Sequence, residues 1–176
     1  GSGKSTILRL LMRFYDADAG KIRIGGRDVR AFTPQELSAM FGVVLQNDFL
    51  YADTIAENIR FEREISKEDI VWATQIAQAH DFITSFSEGF EHEVSAGGTN
   101  LSGGQRQRVL ISRAIAGRPE ILILDDSSSA LDYKTDANLR RALSDALPGS
   151  TVITVAQRVS SVKNCDLILV IDEGRI

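Results

Sequence analysis

Apolar positions along the chain change their spacing several times, and each change marks a change of element. Ile7, Leu8, Leu11 and Phe14 recur at helical intervals, so the stretch from Lys4 to Phe14 reads as an amphipathic helix entered from the loop Gly1-Ser2-Gly3. Short β segments follow at 21–24 and 41–45, separated by the Gly25-Gly26 turn and by Thr33-Pro34-Gln35-Glu36. That tetrapeptide is a capping box with proline at the first helical position. From Thr54 to about Phe86 the spacing is helical, with further cap signals at Thr54/Glu57 and Ser66/Asp69 and no sustained alternation. After the break at Gly97-Gly98, the run Val109, Leu110, Ile111, Ala114, Ile115 predicts a mostly buried helix that ends near Gly117 and Pro119. Beyond it lie a continuous apolar strand at 121–124, a helix at about 133–147, a strand at 152–155 and another at 167–171.

Continuous apolar strands alternating with helices predict a parallel sheet covered on both faces. The fold class is therefore α/β, with ligands beyond the carboxyl ends of the strands. A length of 176 residues suits one domain with room for an insertion, and the helical stretch in the middle reads as that insertion. The net charge of −4 argues against a protein that coats nucleic acid, and no nucleic acid is expected among its partners. A lone cysteine allows no internal disulfide and fits a reducing setting; Cys165 reads as a small packing residue. No apolar run approaches the ~20 residues of a membrane span, no signal peptide is visible, and the chain opens without methionine inside a phosphate-loop pattern. It reads as part of something larger.

Gly1-Ser2-Gly3-Lys4-Ser5-Thr6 is the second half of the P-loop pattern G-x-x-x-x-G-K-[ST]. Glycines let backbone N–H groups close around phosphate oxygens, Lys4 places a charge at the β and γ phosphates, and Ser5 is a candidate Mg²⁺ ligand. The strand Ile121-Leu122-Ile123-Leu124 ends in Asp125, a carboxylate suited to the same metal. Leu101-Ser102-Gly103-Gly104-Gln105 puts a hydroxyl and bare backbone N–H groups at a helix start, where a γ-phosphate can be held. Each motif also has a plainer reading: Ser102 and Asp132 as helix caps, Asp125-Asp126 as a capped turn, Gln46 as a loop residue.

Taken together these motifs resemble the nucleotide-binding domain of ATP-binding cassette (ABC) transporters, especially exporters, over nearly all of the chain. The resemblance implies a P-loop NTPase with a RecA-like core in two parts, 1–46 and 118–176, around an α-helical signature subdomain at 47–117. It implies an ATPase, with ATP and Mg²⁺ as cofactors, at the cytoplasmic face of a membrane. Two such domains would sandwich two ATP molecules head to tail, so that Ser102, Gly103, Gly104 and Gln105 complete the partner's site. Gln46 corresponds to the Q-loop glutamine, touching metal and attacking water, and 48–51 begin the surface for transmembrane coupling helices. Ser129-Ala130-Leu131-Asp132 corresponds to the D-loop that crosses to the partner. The aromatic residue that stacks on adenine would fall before residue 1.

Three positions depart from the family pattern. Asp126 stands where the water-polarising glutamate is usual, Gln157 where the switch histidine is usual, and Ala96 where exporters often carry an acid. Asp126 retracts its carboxylate by roughly 1 Å, and Gln157 can donate a hydrogen bond but carries no imidazolium charge. The expectation is a degenerate site on this chain, paired with a non-identical subunit whose competent site it completes. The rival expectations are an active homodimeric exporter and a non-transport ABC clamp. His80 and His92 read as cap or surface residues, and Trp72 with Ile76 as packing of the helical stretch.

Overall fold

The computed structural model describes residues 3–127 and 129–176. Helices α1 (Lys4–Leu11), α2 (Pro34–Met40), α3 (Ile55–Arg60), α4 (Lys67–Ile76), α5 (His80–Thr84), α6 (Gly103–Ile115), α7 (Tyr133–Ala146) and α8 (Val159–Val162) alternate with short strands. These are β1 (Arg23–Ile24), β2 (Arg27–Asp28), β3 (Phe41–Val44), β4 (Asp53–Thr54), β5 (Glu93–Val94), β6 (Ile121–Asp125) and β7 (Thr151–Val155).

The centre is a parallel three-stranded sheet in the order β3-β6-β7, with Val44 beside Leu124 and Asp125 beside Val155. Every residue of β6 is buried, as a central strand covered on both faces requires. Its side chains alternate between two cores. Leu122 and Leu124 join Val44, Val109, Ile111, Ile55 and Leu139 on one face, while Ile121 and Ile123 meet Leu8 and Met12 of α1 on the other. Gly42 in β3 is a steric necessity: a Cβ there would collide with the Ala114 carbonyl oxygen and the Pro119 ring, so α6 lies on the sheet at backbone distance.

Caps set the helix starts. Thr33 and Glu36 form the expected reciprocal capping box, and the Thr54 and Ser66 hydroxyls accept from the Glu57 and Asp69 amides. The Gly25-Gly26 turn, both residues with positive φ, joins β1 to β2 as an antiparallel hairpin. Helix α1 stops at Leu11, short of the expected Phe14, which is 59% exposed.

The stretch from Thr54 to Phe86 is helical as expected, in three separate helices, and is bracketed by a ladder pairing β4 with β5 that two-residue strands cannot announce by periodicity. The run Leu167 to Ile171 forms no strand among the described residues; Leu167 and Val170 are 73% and 76% exposed, and the nearby bridge joins only Asp172 and Arg175. An apolar run becomes a strand only where it pairs along an edge, and among the described residues this one pairs with no strand. Cys165 is exposed rather than packed. Trp72 and Ile76 do pack on the core, with the Arg118 guanidinium 4.2 Å from the Trp72 ring. His92 stacks on Phe86 at 3.9 Å and meets Glu88 at 3.4 Å.

Candidate nucleotide site

Three features converge at the carboxyl ends of the central strands. Gly3 caps α1 with φ of 96°, a left-handed conformation natural to glycine, and Lys4, Ser5 and Thr6 form the first turn. Gly1 and Ser2 lie outside the described residues. The Ser5 hydroxyl donates to Asp125 Oδ2 at 3.3 Å, across 120 positions of sequence. Asp125 is only 6% exposed, and burial pushes its carboxyl above the ordinary carboxylate value; the Ser5 bond and the charges of Lys4 and Arg9 pull the other way, and the charge of Asp126 adds to the rise. Asp125 offers a hard oxygen that a divalent cation would hold in its ionised form against the effect of burial. Ser5 and Asp125 therefore fit Mg²⁺ in the usual manner, one carboxylate and one hydroxyl with further oxygens from a phosphate ligand. Among the described residues no cluster of three or more His, Cys, Asp or Glu could hold a metal without such a ligand.

Gln46 sits exposed in the turn two residues past the end of β3, whose last residue Val44 pairs with Leu124. Asp126 and Gln157 follow β6 and β7 and line one cavity of about 200 Å³ with Ser129, Ala156 and Arg158. Asp126 has a φ of 51° and its amide donates to the Val155 carbonyl at 2.9 Å, which turns the chain sharply at the end of the strand. Arg158 closes this side: its guanidinium donates to the carbonyls of Leu131 (3.2 Å) and Ser129 (3.3 Å) and lies 5.0 Å from the Tyr133 ring.

Ser102 and Gln105 bond to each other as a capping box, Gln105 N to Ser102 Oγ at 3.2 Å and Ser102 N to Gln105 Oε1 at 2.9 Å. The cap and the phosphate-holding reading use the same atoms, since a hydroxyl that accepts from Gln105 keeps its own proton to donate. Gly103 and Gly104 admit the 129–132 segment closely: Cβ atoms on them would stand 3.6 Å from Ala130 Cβ and 3.3 Å from its carbonyl oxygen. Asp132 caps α7, accepting from the Lys134 and Thr135 amides and the Thr135 hydroxyl, and these bonds hold its carboxyl below the ordinary value. The structure thus joins Ser5 to Asp125 and gathers Asp126 with Gln157, while Ser102 to Gln105 and Asp132 are engaged in caps of their own helices.

Sequence reasoning missed Arg158, Asn58 and Arg113. The signal for Arg113 was present: one cation inside the apolar run from Val109 to Ile115.

A parallel sheet with a glycine-capped Lys-Ser helix start and a buried aspartate at the neighbouring strand end defines a P-loop nucleotide-binding protein. More narrowly, the sequence profile described as ABC transporter matches residues 1–129, and the chain belongs to that family. It is 47% identical over its whole length to ATP-binding cassette sub-family B member 6 of Rattus norvegicus and 43% identical to the ATP-dependent lipid A-core flippase of Vibrio vulnificus. It spans 21% and 30% of the lengths of those proteins. A bacterial Atm1-family ABC exporter, solved with ATP bound, superposes with a TM-score of 0.95 at 39% identity, covering 99% of this chain and 31% of that one. Among the described residues no helix is long and apolar enough to cross a membrane.

Proposed function

We propose that the chain is the ATP-hydrolysing domain of an ABC exporter, acting at the cytoplasmic face of a membrane on transmembrane segments outside these 176 residues. The observation that carries the reading is the Ser5–Asp125 contact, which joins the two halves of a metal-nucleotide site from opposite ends of the sequence. In this reading residues 1–46 and 118–176 are the ATP-binding core and 47–117 the helical signature subdomain. Gly1, Ser2, Gly3 and Thr6 wrap the phosphates with backbone N–H groups, and Lys4 neutralises the β and γ oxygens. Ser5 and Asp125, with Gln46 as a further ligand, would hold Mg²⁺, which when bound would supply charge neutralisation on the phosphates. Asp126 accepts the proton of the attacking water, Gln46 orients that water, and Gln157 donates to the γ-phosphate. Ser102, Gly103, Gly104 and Gln105 face the nucleotide of a second ABC domain, and Asp132 crosses toward it.

The finer part of the proposal is asymmetry. Asp126 and Gln157, two of the three departures from the family pattern, line the same cavity, so the chemical deficit falls on one site. A shortened carboxylate and a neutral amide leave that site able to bind ATP and slow to hydrolyse it, while the signature residues complete a competent site on a non-identical subunit. Native mass spectrometry of the full-length protein, with ATP turnover on the same sample, tests both levels. A complex with one different ABC subunit supports asymmetry. A homodimer with brisk turnover removes asymmetry and keeps the exporter ATPase, and a full-length protein that neither binds nor hydrolyses ATP overturns both.

A further inference from the structure

The segment after Gln46 is tied to the helical region through its backbone at three consecutive residues. The Phe49 carbonyl accepts from Arg113 Nη1 at 3.0 Å, and the Leu50 carbonyl accepts from the Gly97 amide at 2.8 Å. Tyr51 exchanges two bonds with Asn58, its amide donating to Oδ1 at 2.9 Å and its carbonyl accepting from Nδ2 at 3.1 Å. Leu50 between them is fully buried.

Arg113 is the member of this set that belongs to α6. It is 7% exposed, and among the described residues it forms no ion pair. Its hydrogen bonds go to neutral oxygens: Nε donates to the Asn58 carbonyl at 2.7 Å and Nη2 to Asn58 Oδ1 at 3.0 Å, with the rings of Phe61 and Tyr51 at 4.6 and 5.7 Å. Burial works against this cation, and the Asp48 charge, in the same segment as Phe49, works for it. Arg113 spans three acceptors on two segments, which only a planar fork of donors can do.

We infer that Arg113 is a positioning residue for ATP hydrolysis: it locks the segment following Gln46 to the helix that begins at Ser102, so that both move as one body. The inference rests on the exporter reading, in which Gln46 serves this chain's own nucleotide and Ser102 serves the partner's. Helix α6 is the rod between them, since Arg113 lies roughly 16 Å along it from Ser102. A shift of the signature end at one nucleotide is thereby passed to the water-orienting glutamine at the other.

The test uses full-length protein in its assembled membrane complex, comparing Arg113→Lys with Arg63→Lys. Arg63 is the control because it also joins α3 to α6, donating to the Ile59 and Arg113 carbonyls at 3.0 and 2.6 Å, yet its hydrogen bonds reach no residue of 45–51. Turnover is that of this chain's own site, read with the partner's phosphate-loop lysine replaced and normalised to nucleotide-binding stoichiometry, so that loss of folded protein does not register. Arg113→Lys is expected to lower that turnover about tenfold with the KM for ATP changed less than twofold, and to speed amide hydrogen exchange at 49–51 about tenfold. Arg63→Lys is expected to stay within twofold on every readout. Wild-type turnover in Arg113→Lys, or an equal loss in Arg63→Lys, overturns the positioning role. A wild-type complex with no ATP turnover overturns the exporter reading instead, and the exchange data then report whether the clamp itself holds.

Discussion

Asp125 and Asp126 are adjacent carboxylates in opposite surroundings. Asp125 ends a fully buried strand, bonds to Ser5 and is pushed toward its neutral form by burial. Asp126 turns out of the strand with positive φ and faces an open cavity beside Gln157. The first environment suits a fixed ligand for a cation, because burial restricts the carboxylate and raises the gain from pairing it. The second suits a group that must meet water. One strand end thus sets a buried carboxylate and one that lines a cavity a single peptide unit apart, because the positive φ of Asp126 turns the chain out of the sheet.

The contrast can be broken first at Asp125. Asp125→Asn keeps the shape and removes the charge, and ATP turnover at this chain's own site, measured with the partner's phosphate-loop lysine replaced, should fall by about 10²- to 10³-fold, the usual scale for losing one preorganised electrostatic partner. Turnover within threefold of wild type would remove Asp125 from the metal site. Next in size, Asp126→Glu combined with Gln157→His should raise turnover at this chain's own site by about tenfold, measured with the partner's phosphate-loop lysine replaced. No rise would mean that the two departures do not limit that site. Smaller still, Ser102→Ala removes the cap of α6 and should cost about 1 kcal/mol of stability in denaturant titration, whereas Ser102→Asp should retain the cap.

The smallest effect concerns pH without nucleotide or metal. The folded-state value of Asp125 is raised, so this group's contribution to stability is fully present below its unfolded value and is lost as pH rises through the folded one. Asp125→Asn abolishes that loss. Its melting temperature should exceed that of the wild type by a few degrees at pH 7, and the gap should shrink as pH falls through the carboxylate range. A gap independent of pH would show that desolvation of the charge is not what destabilises Asp125.

Much of the site was legible because its chemistry needs fixed local patterns. The Gly-Lys-Ser start of α1, the apolar strand ending in Asp125 and the Ser102-to-Gln105 box are each contiguous, and each appears on the element expected of it. The cavity shared by Asp126 and Gln157 was less legible, since it depends on β6 and β7 lying side by side. The strand expected at 167–171 shows the limit from the other direction: its apolar content fits a strand, but content does not supply a pairing edge.

Local sequence therefore determined the helix caps, the glycine turns, the α/β class and the identity of the phosphate-loop and signature motifs, because each rests on interactions within a few residues of chain. Tertiary structure alone decided that Ser5 meets Asp125, that Gly42 must lack a side chain beneath Ala114, and that Arg113 reaches Phe49 and Asn58 across more than 50 positions. Those contacts depend on how the sheet and helices pack, and packing brings together residues whose separation along the chain carries no periodic signal.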